Sequence, residues 1–152
     1  MKIKYKHTNI IARDFESLSK FYQDVFGCKR EYKISASKSE WLSKGTGIAG
    51  AELKGGDLLR LPGYDNDAPT LEIFTYSQQH DERKQIVANN VGLGHLAFEV
   101  ENISEILEKV LENGGKKIGE LVQVNLNKLI LTFIYVTDPE GNIIELQNLI
   151  NK

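Results

Sequence analysis

Cysteine is nearly absent from the chain: Cys28 is the only one in 152 residues. An internal disulfide and any cysteine-built zinc knuckle are thereby excluded, which fits a reducing compartment. Also missing is an apolar run of the roughly 20 residues that a membrane helix needs. The lysine-rich opening MKIKYK leads into an alternating segment rather than a signal-peptide core. No sign of charge dominates, since 19 Lys and Arg stand against 21 Asp and Glu for a net charge of −2. That leaves no basic surface for DNA or RNA. With 26% charged and 41% hydrophobic residues the composition is that of a folded chain, not a disordered one. The expectation is a cytoplasmic protein with no membrane and no nucleic-acid partner. Its length suits one domain over 1–152 or two small fused halves.

What the chain does contain is an internal repeat. His7 to Gly27, HTNIIARDFESLSKFYQDVFG, aligns without a gap on His95 to Gly115, HLAFEVENISEILEKVLENGG, at an offset of 95 − 7 = 88 residues. Each copy reads as a strand followed by a helix. In the second, Asn102 caps the helix with Glu105 three residues later, Ile103, Ile106, Leu107, Val110 and Leu111 form its apolar stripe, and Gly114-Gly115 ends it. In the first, Asp14 is the cap, Phe15, Leu18, Phe21, Tyr22 and Val25 lie at helical spacing, and Gly27 stops the run. Cys28, directly after that glycine, reads as an inert thiol.

Strands follow each helix. ELVQVNLNKLILTFIYVTD reads as two extended segments, and DPEG as a turn with Pro139 second and Gly141 fourth, leading into NIIELQNL. The matching strands of the first half are IAGAEL, LLRL and LEIFTY. The first half is about 15 residues longer (72 − 27 = 45 against 145 − 115 = 30), extra length that falls in SASKSEWLSKGTG and PGYDNDAP. This predicts a first β-α-β-β-β module over 3–76, a polar connector over 77–91 and a second module over 92–150.

A strand that packs a helix on one side alternates, so the repeat assigns the sides. Leu96, Phe98 and Val100 cover the second helix, which turns His95 away from it. The same register turns His7, Asn9 and Ile11 away from the first helix. In the closing strands Ile144 and Leu146 pack inward and leave Glu145 on the free face; Leu71 and Ile73 do the same for Glu72, Phe74 and Tyr76. A lone strand His or Glu is ordinarily a satisfied or solvated side chain. A His at one register of both first strands and a Glu on both last strands is hard to obtain from packing alone. Two imidazoles and two carboxylates, His7, Glu72, His95 and Glu145, suit a divalent metal such as Zn, Ni, Co, Mn or Fe, with positions left for water or substrate. Asn9, Phe74 and Tyr76 share the free face and are candidate pocket residues, with ordinary packing as the alternative for the two rings. Trp41, in the polar insertion, reads either as a lid or as a loop anchor. Arg60 is a surface charge or a partner for a substrate anion, and His80 is an exposed connector residue.

The stretches HTNI before DFESLSKFYQDVFG, then LEIFTY, GLGHLAFEV and VTDPEGNIIELQ, make the chain resemble the glyoxalase / vicinal oxygen chelate superfamily. The resemblance implies an α+β fold of two tandem βαβββ modules whose curved mixed sheet encloses a metal-binding cup. It implies a homodimer and a small-molecule substrate. His7, Glu72, His95 and Glu145 match the four-ligand set of glyoxalase I, lactoylglutathione lyase. By that likeness the activity is a lyase or isomerase reaction, in which the metal holds two neighbouring substrate oxygens and stabilises the enolate or enediolate left when a C–H proton departs. Glu145 would then be ligand and catalytic base, and Glu72 ligand and second base. Methylmalonyl-CoA epimerases are the alternative nearest in ligand pattern. Extradiol dioxygenases and fosfomycin-resistance enzymes typically use two His and one Glu, and bleomycin-binding proteins of the fold generally lack the metal set. The bacterial-type glyoxalase I Arg and Asn that hold glutathione, four residues after the first His and the first Glu, are here Ile11 and Tyr76.

Overall fold

Local signals along the chain set the order of the elements, and a computed structural model describes them over residues 3–81 and 86–152. Residues 82–85, part of the expected connector, lie outside the described residues. Two compact units result, Met1–Glu82 and Arg83–Lys152.

In the first unit β1 (His7–Ile11) leads through Asp14 into α1 (Phe15–Phe26). Asp14 Oδ1 accepts from the backbone N–H of Glu16 and Ser17 at 3.0 and 3.2 Å, satisfying donors that the first turn otherwise leaves open. Gly27 ends the helix at φ 69°, a left-handed conformation that costs glycine nothing. Leu18, Phe21, Tyr22 and Val25 are buried along one face, as their spacing requires. β2 (Lys29–Ile34), β3 (Ser37–Lys38), α2 (Glu40–Thr46), β4 (Glu52–Arg60) and β5 (Thr70–Tyr76) complete the unit. Its sheet runs β1-β5-β4-β2, with β3 also paired to β4.

The second unit repeats this plan. β6 (Leu96–Glu99), α3 (Ile103–Glu112), β7 (Lys116–Lys117), β8 (Val122–Asn125), β9 (Leu129–Thr137) and β10 (Ile143–Asn151) give a sheet β6-β10-β9-β7, with β8 also on β9. In both sheets the opening and closing strands are parallel neighbours and the remaining pairings are antiparallel. The α+β architecture of two tandem βαβββ modules is therefore as the sequence predicts. The DPEG turn closes the β9–β10 hairpin: Asp138 Oδ1 accepts from the backbone of Glu140 and Asn142, both at 2.9 Å.

Three local expectations are corrected. IAGAEL and LLRL are not two strands; their residues from Glu52 to Arg60 run as one, β4, with a register shift between Leu53 and Gly55 that hid its continuity. The strand that takes the vacated place is β2, KREYKI, whose side chains are almost all exposed and so carry no apolar alternation to detect. The polar insertion is not plain loop either. It holds α2, capped by Ser39 Oγ on the Leu42 N–H at 3.3 Å, and its Leu42 packs with Ala51 and Leu53. Leu111, assigned to the apolar stripe of α3, is 48% exposed: at about 100° per residue it falls at one edge of the apolar arc, whereas Val110, near the middle of that arc, is fully buried. No helix among the described residues is long and apolar enough to cross a membrane.

Candidate metal centre

The register of the parallel pairs puts one histidine and one glutamate together in each unit. On β5, Glu72 stands opposite Asn9 of β1, two residues after His7. On β10, Glu145 stands opposite Ala97 of β6, two residues after His95. Successive side chains on a strand alternate faces, so each histidine shares a face with its glutamate. The Nε2 of His7 lies 3.4 Å from Glu72 Oε2, and the Nε2 of His95 lies 3.0 Å from Glu145 Oε2. Both acids are well covered, with side chains 17% and 14% exposed, whereas the imidazoles are more open at 48% and 33%.

The backbone around the pairs repeats too. The Ala12 N–H donates to Phe74 O and the Val100 N–H to Gln147 O, both at 2.8 Å. Side chains at equivalent places on the closing strands then cap the freed carbonyls: Thr75 Oγ1 donates to Ala12 O at 3.0 Å and Asn148 Nδ2 to Val100 O at 2.9 Å. These bonds lock the register that brings His and Glu together. A one-residue slip would send each histidine to the helix side.

The surroundings of the two acids differ. Glu145 faces Tyr135 across the β9–β10 ladder, while the corresponding partner of Glu72 across β4–β5 is Leu58. The Tyr135 ring lies 5.0 Å from the His95 ring and 5.9 Å from that of Phe133. Burial, and then the nearby Glu145 carboxylate, hold the Tyr135 phenol above its ordinary range, so it keeps its proton. Tyr135 was not singled out in the sequence. Counting back from the DPEG hairpin, Thr137 on Ile143 and then Tyr135 on Glu145, would have found it.

The other candidates are distributed as follows. Asn9 Nδ2 donates to the backbone carbonyl of Glu72 at 3.3 Å, which ties it to the strand that carries the acid. Phe74 and Tyr76 are half-buried and lean on Leu42, Ala51 and Leu53. Phe74 lies over Gly56, where a Cβ would stand 2.6 Å from the ring. Trp41 is on α2 and 70% exposed. Arg60 donates to the carbonyls of Tyr64 and Asp65, bracing the β4–β5 loop beside a cleft of about 360 Å³ that Lys29 also lines. His80 is exposed. Among the described residues no three His, Cys, Asp or Glu side chains are grouped; each unit holds a matched pair. Each pair offers one imidazole nitrogen and one carboxylate oxygen, donor types that borderline divalent cations accept and two of the three or four that such a site needs.

Comparison with known proteins agrees with this fold. The solved structure of a glyoxalase family protein from Bacillus cereus superposes with a TM-score of 0.84 at 18% identity, covering 99% of this chain and 97% of that one. A glutamate-to-glutamine mutant of glyoxalase I from Zea mays gives a TM-score of 0.62 at 20% identity, over 95% of this chain and 44% of that one. The fosfomycin resistance protein FosX from Listeria monocytogenes gives 0.59 at 18% identity, over 96% and 93%. No curated protein matches the chain by sequence. The family model described as the Glyoxalase/Bleomycin resistance protein/Dioxygenase superfamily matches residues 4–146, nearly the whole length, and the chain belongs to that superfamily.

Proposed function

We propose that the protein is a metal-dependent lyase or isomerase of the glyoxalase type, moving a proton on a carbon beside a carbonyl or thioester of a small substrate. The observation that carries this reading is the recurrence of one His–Glu pair at one register in both units. His7, Glu72, His95 and Glu145 are the residues that would hold the cation. When bound, the metal supplies Lewis-acid polarisation of two neighbouring substrate oxygens.

The protein's own residues do the rest. Glu145 is the base: a carboxylate oxygen takes the proton from carbon, and the same group returns it to the substrate. A partly covered acid beside a fixed donor is better placed for this than a solvated one. Tyr135, protonated and opposite Glu145, is the donor that orients the acid or the substrate oxygen next to it. His95 packs beside Tyr135, with the two rings tilted by 42°. Glu72, with Leu58 opposite it and no hydroxyl, keeps the role of ligand. Asn9 positions the Glu72 strand. Phe74, Tyr76 and Trp41 are pocket residues in this reading.

The test is metal analysis of the purified protein followed by a deuterium-exchange screen on thiol hemiacetals and acyl thioesters. About one divalent metal per chain is expected. Glu145→Gln should lower exchange by on the order of 10²- to 10⁴-fold. Absence of exchange from the whole panel with metal bound would sink the proposal. Its likeness in fold to FosX makes fosfomycin resistance the second reading, which the same preparation tests through fosfomycin consumption.

A further inference from the structure

The face of the second sheet that carries Glu145 continues into an apolar surface. Cross-strand partners point to the same side of a sheet, and the register pairs Val122 with Phe133, Val124 with Leu131, Leu131 with Leu149 and Tyr135 with Glu145. Val122, Val124, Leu131, Phe133 and Leu149 therefore stand on one face with Glu145. The opposite face carries Ile134, Val136, Ile144 and Leu146, all fully buried. Val122, Val124 and Leu149 are 40%, 39% and 39% exposed, and Leu131 and Phe133 are half-buried. On β8, β9 and β10 this face bears a single charge, Glu145 itself.

From these observations we infer that the uncharged alkyl or aryl part of the substrate lies along β8, β9 and β10, with its oxygen-bearing end at His95 and Glu145. The inference rests on the metal-dependent reading above and names the kind of substrate it serves. Three features support this occupant. The rings of Phe133, Tyr135 and His95 form a continuous run, with centroids 5.9 and 5.0 Å apart, from the apolar surface to the metal-ligand pair. The face extends four residues along β10 from Glu145 past Gln147, the one polar side chain on that path, to Leu149, about 14 Å at 3.4 Å per residue, the scale of a medium-length chain or a substituted ring. Even with Leu129, half-buried on the same face, these apolar side chains fall far short of the roughly 20–30 residues that each partner brings to a stable protein interface, which argues against a second copy as the occupant.

The probe is a series of n-alkyl hydroxamates from acetyl to octanoyl, titrated calorimetrically into the metal-loaded protein. Each offers two neighbouring oxygens and differs only in chain length. Affinity should rise about fourfold per added methylene as it leaves water. The double substitution Val122→Asp and Val124→Asp, at exposed positions, should flatten that rise while leaving acetohydroxamate affinity unchanged. A flat series on the unsubstituted protein, with acetohydroxamate bound, overturns the inference and leaves the metal reading standing. Failure of acetohydroxamate itself to bind overturns the metal reading, and this one with it. A change of oligomeric state in the double variant with the chain-length dependence intact assigns the surface to contact between copies and overturns the inference.

Discussion

Tyr135 stands directly opposite Glu145 across the β9–β10 ladder, whereas Glu72, the equivalent acid in the first unit, faces Leu58. The repeat therefore preserves the acids and makes their neighbourhoods unequal. An acid beside a phenol and one beside a leucine are not interchangeable in a proton transfer.

Tyr135→Phe keeps the ring against His95 and removes only the hydroxyl. A hydrogen bond to a charged group contributes about 1.5–3 kcal/mol, so kcat/KM should fall by roughly 10- to 100-fold. Metal content, read by elemental analysis, should not change. Unaltered turnover would remove Tyr135 from the site.

If both pairs hold the metal, His7→Ala and His95→Ala should each bring metal content well below one per chain, with far-ultraviolet circular dichroism unaltered. Retention of full metal by His7→Ala would restrict the ligands to the second unit.

Burial pushes the Cys28 thiol up to about 12 from an ordinary 9.0. Between those values the native protein keeps a proton that the unfolded chain gives up, so stability must fall as pH rises through that window. Urea unfolding at pH 8 and pH 10.5 should show a decline that Cys28→Ala reduces. The same burial predicts slow reaction of the native thiol with thiol reagents at pH 8.

Asp14 is held below its ordinary carboxylate range, first by the Ser17 hydroxyl and then by the Ser17 backbone N–H. A carboxylate lowered in the folded state stabilises above its unfolded value of 3.8 and loses that contribution as pH falls through its folded value. Asp14→Ala should cost about 1 kcal/mol at neutral pH, measured by the urea midpoint, and the difference should shrink in acid.

Gly56→Ala would set a Cβ 2.6 Å from the Phe74 ring and 2.7 Å from the Ile73 carbonyl oxygen. Backbone cannot yield as a flexible side chain does, and overpacking of this kind costs about 1–3 kcal/mol. A lowered melting temperature is the expected outcome.

Much of this was legible in the chain itself. Polar side chains at Asp14 and Asn102 and glycine at 27 mark helix ends because capping and left-handed backbone are local chemistry. The alternation around His7, Glu72, His95 and Glu145 chose a face because a strand has only two. Those signals determined the two modules and the residues proposed to hold the metal. Only the tertiary structure decided the rest. β2 is an exposed edge without alternation, and β4 is continuous through a bulge, so neither has a periodic signature. The distances of 3.4 and 3.0 Å between each His and its Glu depend on which strands pair, and in what register. The contrast between Tyr135 and Leu58 arises the same way, because a residue's neighbour across a sheet is set by pairing between segments distant in the chain.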